Sequence, residues 1–209
     1  MLRDFGINSP DIHASMSLCL GPCEVSVSEM VSAYTAFANH GIRTAPMFVS
    51  RIEDNEGNTL ATFQPRMNEV IGAENAMKML TMLMGVVDGG TAGRLRYRYN
   101  LEGQIGAKTG TTNNNSDGWF IGFTPQLVSG CWVGGEERDI HFDSMSMGQG
   151  ATMALPIWAI FMKKVYADPS LDIRPDVKFD LPDGYDPCYK PKSDQDDFEQ
   201  VDGIDEVFE

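Results

Sequence analysis

Apolar residues recur at helical spacing in three parts of the chain, at residues 26–41, 72–87 and 151–167. Ser26 and Glu29 form a capping-box pattern that predicts the start of the first helix. The apolar positions that we expect the helices to bury are Val27, Met30, Val31, Tyr34 and Phe37 in the first, Ala76, Leu80, Leu83, Met84 and Val87 in the second, and Ala154, Ile157, Trp158, Phe161 and Val165 in the third.

Short apolar runs between turn residues predict strands. Residues 47–53 and 59–63 flank a polar turn and are predicted to form a hairpin. Three further strands are predicted at residues 105–109, 119–123 and 128–133, with a proline-containing turn between the last two. The pattern therefore indicates an α/β (α+β) fold, in which an antiparallel sheet is flanked by helices.

The length of 209 residues is typical of one domain of medium size, and the composition divides the chain further. We expect residues 1–167 to form the folded body. Residues 168–192 carry five prolines and are predicted to be irregular, crossing the body in extended form. Residues 193–209 are acidic and are predicted to be disordered. The alternating apolar residues of the extended segment are Val177, Phe179 and Leu181.

The net charge of −14 is distributed unevenly. Residues 193–209 contain eight acidic residues and no basic residue, so the rest of the chain carries only −6. A nucleic-acid partner is not expected, because phosphate recognition requires a basic surface.

The four cysteines do not form the paired pattern of a disulfide framework. Cys19 and Cys23 are spaced so that they could form a small bridge or half of a metal site. His13, His40 and His141 are scattered, and no second ligand pair follows at metal spacing. We therefore predict neither a metal nor a cofactor.

The candidate chemistry lies where the strand at residues 105–109 ends. Lys108, Thr109, Gly110 and Thr111 place an ammonium group, a hydroxyl, a flexible glycine and a second hydroxyl in sequence. The charge and the hydroxyls suit an anionic substrate, and the glycine allows a ligand to approach the backbone. The residues therefore predict a substrate-binding site, without a nucleophile of its own.

The Lys-Thr-Gly run is one of three signatures of serine β-lactamases and penicillin-binding proteins. The blocks at residues 117–125 (DGWFIGFTP) and 131–135 (CWVGG) accompany it, as do upstream blocks at residues 20–41 and 86–95. With these blocks, residues 2–165 resemble the transpeptidase domain of class A, bifunctional penicillin-binding proteins of the 1A type. The predicted strands correspond to the third, fourth and fifth strands of the family's sheet.

The resemblance implies roles for the matching residues. Lys108 is expected to be catalytic, by setting a positive potential and hydrogen-bonding the serine of a Ser-x-Asn motif. Thr109 and Thr111 are expected to bind the carboxylate of a stem peptide or β-lactam. The Thr111 N–H is expected to complete an oxyanion hole with the nucleophile's own N–H. Gly110 must stay small so that substrate can lie along the strand.

Two of the family's three motifs are missing: no serine is followed three places later by lysine, and no Ser-x-Asn occurs. We therefore expect a C-terminal piece of a peptidoglycan-synthesising D,D-transpeptidase, inactive alone, with the N-terminal half of the domain as its partner.

The resemblance implies an extracytoplasmic location with an N-terminal membrane anchor. We expect that anchor to lie elsewhere, because no apolar run here approaches the roughly 20 residues of a membrane span. Without the family's other strands, the strand at residues 104–109 or a neighbour is expected to have an exposed edge and to self-associate.

Two other functions remain open from the sequence. A serine hydrolase could use Ser146, although its surroundings lack the first glycine of a nucleophile elbow. A non-catalytic peptide-binding or scaffolding domain would need no nucleophile.

Two polar loops complete the sequence picture. Residues 88–98 contain Gly-Gly-Thr-Ala-Gly and three arginines, and they are interpreted as a connecting loop rather than a phosphate-binding loop. Residues 113–117 are interpreted as a tight polar turn, because Asn and Asp tolerate left-handed backbone angles. The resemblance implies that Asp117 supports this loop.

Overall fold

The computed structural model describes residues 1–10, 12–21 and 23–185. Cys188, the end of the proline-rich segment and the acidic tail lie outside the described residues. The helices and strands of the described part are α1 Val27–Ala38, β1 Ile42–Thr44, β2 Arg51–Glu53, β3 Thr59–Thr62, β4 Met67–Glu69, α2 Ala73–Asp88, α3 Arg94–Tyr97, β5 Gly106–Thr111, β6 Asp117–Phe123, β7 Val128–Gly134, α4 Met145–Gly148 and α5 Gly150–Ala167.

The main sheet is antiparallel with the strand order β5-β6-β7, and helices flank it, so the predicted fold class is confirmed. The hairpin of β2 and β3 is also confirmed. The pairing of β1 with β4 was not predicted, because strands of three residues are too short to show a period of two. The predicted loop at residues 88–98 contains a four-residue helix, α3, and a second four-residue helix, α4, precedes α5.

Helix α5 covers one face of the main sheet. Its Trp158 is 2% exposed and packs on Phe120 of β6, with ring centroids 5.3 Å apart. A Cβ at Gly122 would lie 2.5 Å from the indole ring of Trp158, so only glycine allows this approach.

The predicted buried face of α5 was partly wrong. Ile157 and Phe161 are 52% and 44% exposed. This helix is apolar on nearly all sides, so its periodicity does not determine which side meets the sheet. The residues that it buries are Gly150, Ala151, Ala154, Leu155, Trp158, Ala159, Met162 and Val165.

Helices α1 and α2 cover the opposite face. Phe123 is fully buried there, with the ring of Tyr34 from α1 at 6.2 Å and Leu80 and Leu83 of α2 in the same cluster. Burial raises the pKa of Tyr34 to about 12, so its hydroxyl stays protonated at any ordinary pH. The predicted stripe of α2 is confirmed for its four most buried positions.

Residues 172–181, which we call the strap, run across one end of the main sheet, with a turn at residues 175–176. Their burial alternates as the apolar pattern predicted: Phe179 is buried, and Val177 and Leu181 are partly buried. The Phe179 N–H donates to Gln104 Oε1 at 2.7 Å, and the Arg174 N–H donates to Gln126 Oε1 at 2.9 Å. Phe179 is buried against Phe123. Gly103 has φ +83°, and a Cβ there would meet the Pro175 carbonyl oxygen at 2.3 Å. The strap therefore fixes the loops that enter β5 and leave β6.

Cys19, Cys23 and Cys131 are free thiols, so the bridge between Cys19 and Cys23 is not formed. Among the described residues, no group of three or more His, Cys, Asp or Glu side chains is arranged to hold a metal. No helix of this part of the chain is both long and apolar enough to cross a bilayer.

The capping box at the start of α1 is confirmed and reaches further than the sequence indicated. The Ser26 Oγ accepts from the Glu29 N–H at 3.2 Å, while Glu29 Oε2 accepts from the Ser26 N–H at 2.9 Å. Glu29 Oε1 also accepts from the Asn8 N–H at 3.0 Å, which ties the N-terminal segment to the helix. These backbone hydrogen bonds, first from Ser26 and then from Asn8, hold the pKa of Glu29 below its ordinary value.

We predict that Glu29→Gln lowers the free energy of unfolding by about 1 kcal/mol near pH 7, because one charged acceptor is lost. Since the folded pKa lies below the unfolded value of 4.5, the carboxylate stabilises fully above that value. The contribution is lost as the pH falls through the folded pKa, so the difference between variant and wild type should vanish there. Urea unfolding at several pH values measures this.

The control for that series is Glu102→Gln, which removes an exposed carboxylate elsewhere. A stability difference for Glu29→Gln that does not depend on pH, or that equals the control, would contradict the role given to the cap.

Candidate functional site

Strand β5 ends in the K-T-G-T segment, Lys108–Thr111, and forms one edge of the main sheet. Just beyond it, the Thr112 N–H donates to the Asp117 carbonyl oxygen at 3.2 Å. Inward and outward peptide groups alternate along an antiparallel ladder. The N–H and C=O groups of Thr109 and Thr111 therefore point away from β6, to an edge where an extended peptide can add as a strand.

Lys108 is exposed, and its ammonium group lies at that edge. Its Nζ donates to the Thr109 carbonyl oxygen at 2.6 Å, which is one of the outward-pointing acceptors. Because side chains alternate between the faces of a strand, Lys108 lies on one face and the two threonines lie on the other. The structure thus brings the predicted residues together along the strand edge, with ammonium and hydroxyls on opposite faces.

The hydroxyl of Thr111 is fixed by the first turn of α5. The Gly150 N–H donates to Thr111 Oγ1 at 3.0 Å. A Cβ at Gly150 would lie 2.3 Å from the Gly110 carbonyl oxygen and 2.5 Å from the Trp119 carbonyl oxygen. The close approach of α5 to β5 therefore requires glycine at this position, and the Thr111 proton remains available to a ligand.

The hydroxyl of Thr109 is held from the loop before α3. Thr91 Oγ1 lies 2.9 Å from Thr109 Oγ1. Nearby, Arg94 Nη1 donates to the Ala151 carbonyl oxygen at 2.9 Å and approaches Thr152 Oγ1 at 3.4 Å. Thr91, Arg94 and Gly150 were not predicted as site residues from the sequence. Their only sequence signal is glycine-rich surroundings, which are common in loops.

The loop after β5 is built around Asp117. Asp117 Oδ2 accepts from the hydroxyls of Thr112 and Ser116 at 3.0 and 3.1 Å, and Oδ1 accepts from Trp132 Nε1 at 2.9 Å. Asn114 and Asn115 adopt φ values of 59° and 57°, which asparagine tolerates. The predicted polar turn supported by Asp117 is confirmed.

Two other potential nucleophiles among the described residues, Ser146 and Cys131, lack activating neighbours. Ser146 lies in α4, where its Oγ is 3.0 Å from Ser144 Oγ. Within the part of the chain that the structure describes, no histidine or lysine hydrogen-bonds that hydroxyl. Burial raises the pKa of the Cys131 thiol, which keeps it protonated and weakly nucleophilic. The geometry therefore favours a binding edge over a self-sufficient hydrolase.

The chain matches a known protein family over most of its length. The model of the penicillin binding protein transpeptidase domain matches residues 4–130. Penicillin-binding protein 1A of Aquifex aeolicus is 37% identical over 166 residues, which cover 79% of this chain and 21% of that protein. Penicillin-binding protein 1A of Neisseria lactamica is 34% identical over 193 residues, covering 88% and 22%. The chain thus spans about a fifth of the length of these curated relatives.

Solved structures show the same likeness. Penicillin-binding protein 1A from Haemophilus influenzae superimposes with a TM-score of 0.75 at 26% identity, covering 87% of this chain and 31% of that one. PonA1 from Mycobacterium tuberculosis, solved in complex with penicillin V, gives a TM-score of 0.65 at 23% identity, covering 79% and 48%. The second likeness is one of fold alone.

We predict that Gly150→Ala lowers the free energy of unfolding by about 2 to 3 kcal/mol, because its Cβ would push α5 away from β5. Gly85→Ala is the matched control. A Cβ at Gly85 meets no atom within 4 Å, and alanine is the better helix former there, so this variant should be neutral or stabilised. Urea unfolding of both variants measures the contrast. Equal midpoints for the two would refute the steric argument.

Proposed function

The chain belongs to the penicillin-binding protein transpeptidase domain family, and from this we propose that it contributes the substrate-binding wall of a D,D-transpeptidase. In this reaction, a serine acyl-enzyme cross-links the stem peptides of peptidoglycan. The observation that carries the proposal is the outward-pointing edge of β5 at the K-T-G-T segment.

A peptide that lies along this edge would pair with the outward peptide groups of Thr109 and Thr111. Their hydroxyls are proposed to bind the terminal carboxylate, and the Thr111 N–H is proposed to form half of the oxyanion hole. Gly110 is proposed to stay small so that the peptide can lie along the strand. The proposed catalytic role of Lys108 requires its ammonium group to leave the Thr109 carbonyl oxygen and turn to the serine of a Ser-x-Asn motif.

The nucleophile is proposed to lie outside these 209 residues, since the sequence contains neither Ser-x-x-Lys nor Ser-x-Asn. In this interpretation, residues 1–167 are the C-terminal portion of the transpeptidase domain, residues 168–192 are an extended segment, and residues 193–209 are a tail. The preceding part of the domain is the main partner. Stem peptides and β-lactams are the proposed ligands of the longer protein, as the complex of PonA1 with penicillin V suggests for this fold.

The proposed location is extracytoplasmic, because peptidoglycan is cross-linked there, with anchoring by a segment other than the residues described. A non-catalytic peptide-binding or scaffolding role is the second candidate, and the missing nucleophile motifs favour it. Labelling with penicillin separates the two.

We predict that a fluorescent penicillin does not label the 209-residue chain covalently, because acylation needs an activated serine. The longer protein that joins this chain to Ser-x-x-Lys and Ser-x-Asn motifs should be labelled, and boiling in detergent should not remove the label. Gel fluorescence after denaturation is the measurement. Labelling of the 209 residues alone would contradict the proposal that the nucleophile lies outside them. An unlabelled longer protein would favour the scaffolding role.

The open edge of β7 leads to a further prediction. The Thr124 N–H donates to the Leu127 carbonyl oxygen at 2.9 Å, so alternation turns the peptide groups of Gly130 and Trp132 outward and those of Cys131 inward. If the 209-residue chain associates through this edge, as we propose, amide exchange at Gly130 and Trp132 should slow as concentration rises. Exchange at Cys131 should not change and serves as the internal control.

Hydrogen exchange should be combined with size-exclusion chromatography and light scattering. A single monomer at all concentrations, with constant exchange at Gly130 and Trp132, would refute self-association through β7.

A further inference from the structure

The loop at residues 89–93 lies against the K-T-G-T segment and is fixed from within. The Ala92 N–H donates to the Val86 carbonyl oxygen at 3.0 Å, and Ala92 and Leu95 are both fully buried. A Cβ at Gly90 would lie 2.8 Å from Val86 Cα, so the loop packs tightly on the end of α2. These contacts leave Thr91 as the exposed side chain that meets β5.

The two hydroxyls of the K-T-G-T segment are supported by separate elements. Thr111 Oγ1 accepts from the Gly150 N–H, whereas Thr109 Oγ1 meets Thr91 Oγ1 at 2.9 Å. Arg94 joins these two supports, because its guanidinium donates to the Ala151 carbonyl oxygen in the first turn of α5. The spacing between the two threonine hydroxyls is therefore held by one connected set of contacts.

The contact between Thr91 and Thr109 decides whether the hydroxyl proton of Thr109 is available to a ligand. Since Thr111 accepts from a peptide N–H, its single hydroxyl proton is free for an anionic ligand. In the pair of Thr91 and Thr109, one proton lies between the oxygens. If Thr91 donates, the proton of Thr109 is free as well, and a hydroxyl that accepts a hydrogen bond donates more strongly.

We propose that Thr91 is a positioning residue for carboxylate recognition: it donates to Thr109, so that Thr109 and Thr111 both direct their protons to the ligand's carboxylate. This rests on the proposed function, since it assigns a support to the same site. Thr91 acts through Thr109 and has no role in the acyl transfer itself.

The purely structural alternative is that Thr91 only ties the loop to the strand. Both interpretations predict some loss of stability on removal of the hydroxyl. They differ in what the loss of function depends on: the proposed role depends on the ligand's carboxylate, whereas a loosened loop would impair all ligands alike.

The test uses the longer protein that carries this chain with both missing motifs. The variants are Thr91→Val, which removes the hydroxyl and keeps the shape, and Thr91→Ser, which restores the hydroxyl. Thr81→Val is the control, because the Thr81 hydroxyl donates to the Met77 carbonyl oxygen within α2, away from the site. Each protein is acylated with one β-lactam as its free acid and as its methyl ester, and the second-order rate constants are compared.

We expect Thr91→Val to slow acylation by the acid about fivefold to tenfold, the range of one hydrogen bond, and to leave the rate with the ester unchanged. Thr91→Ser should restore most of the wild-type ratio between the acylation rate constants for the acid and the ester. Thr81→Val should leave this ratio unchanged. An equal loss with both ligands, an unchanged ratio in Thr91→Val, or no rescue by serine would overturn the positioning role. If the wild-type protein is not acylated at all, the proposed function itself fails, which is a separate result.

Discussion

The hydrogen-bond register between β5 and β6 decides which peptide groups of the K-T-G-T segment remain available to a ligand. Because Thr112 bonds inward to Asp117, the groups of Thr109 and Thr111 must point outward. A slip of one residue would reverse this and would also exchange the faces of Lys108 and the threonines. The carboxylate of Asp117 and its three side-chain donors hold the end of the ladder where such a slip would begin.

The helices act on that register from both faces. Helix α5 approaches β5 and β6 at two positions where a Cβ is excluded, Gly150 at its own start and Gly122 under Trp158. Helices α1 and α2 bury Phe123 on the other face. Close packing on both sides makes the strand positions stiff, which is what a recognition edge needs.

The sequence predicted the main strands, the long helices and the K-T-G-T segment, because each has a strong local signal. The exposed side of α5, where Ile157 lies, was predicted wrongly from the sequence. A helix that is apolar on nearly all sides has no periodic contrast between apolar and polar positions that would show which side is buried. The sequence did not predict Thr91 as a neighbour of Thr109, although only eighteen residues separate them. That contact depends on how the loop packs on α2, and no local pattern in the chain encodes such a distance.

The strap closes the end of the main sheet that lies opposite the K-T-G-T segment, through the two glutamines that receive its peptide groups. The contacts that stabilise the sheet against unfolding thus lie at one end of the three strands, and the edge available to a ligand lies at the other. Sequence drift in the strap should therefore alter heat tolerance while leaving the shape of the K-T-G-T edge intact, and the two properties can evolve independently in this protein.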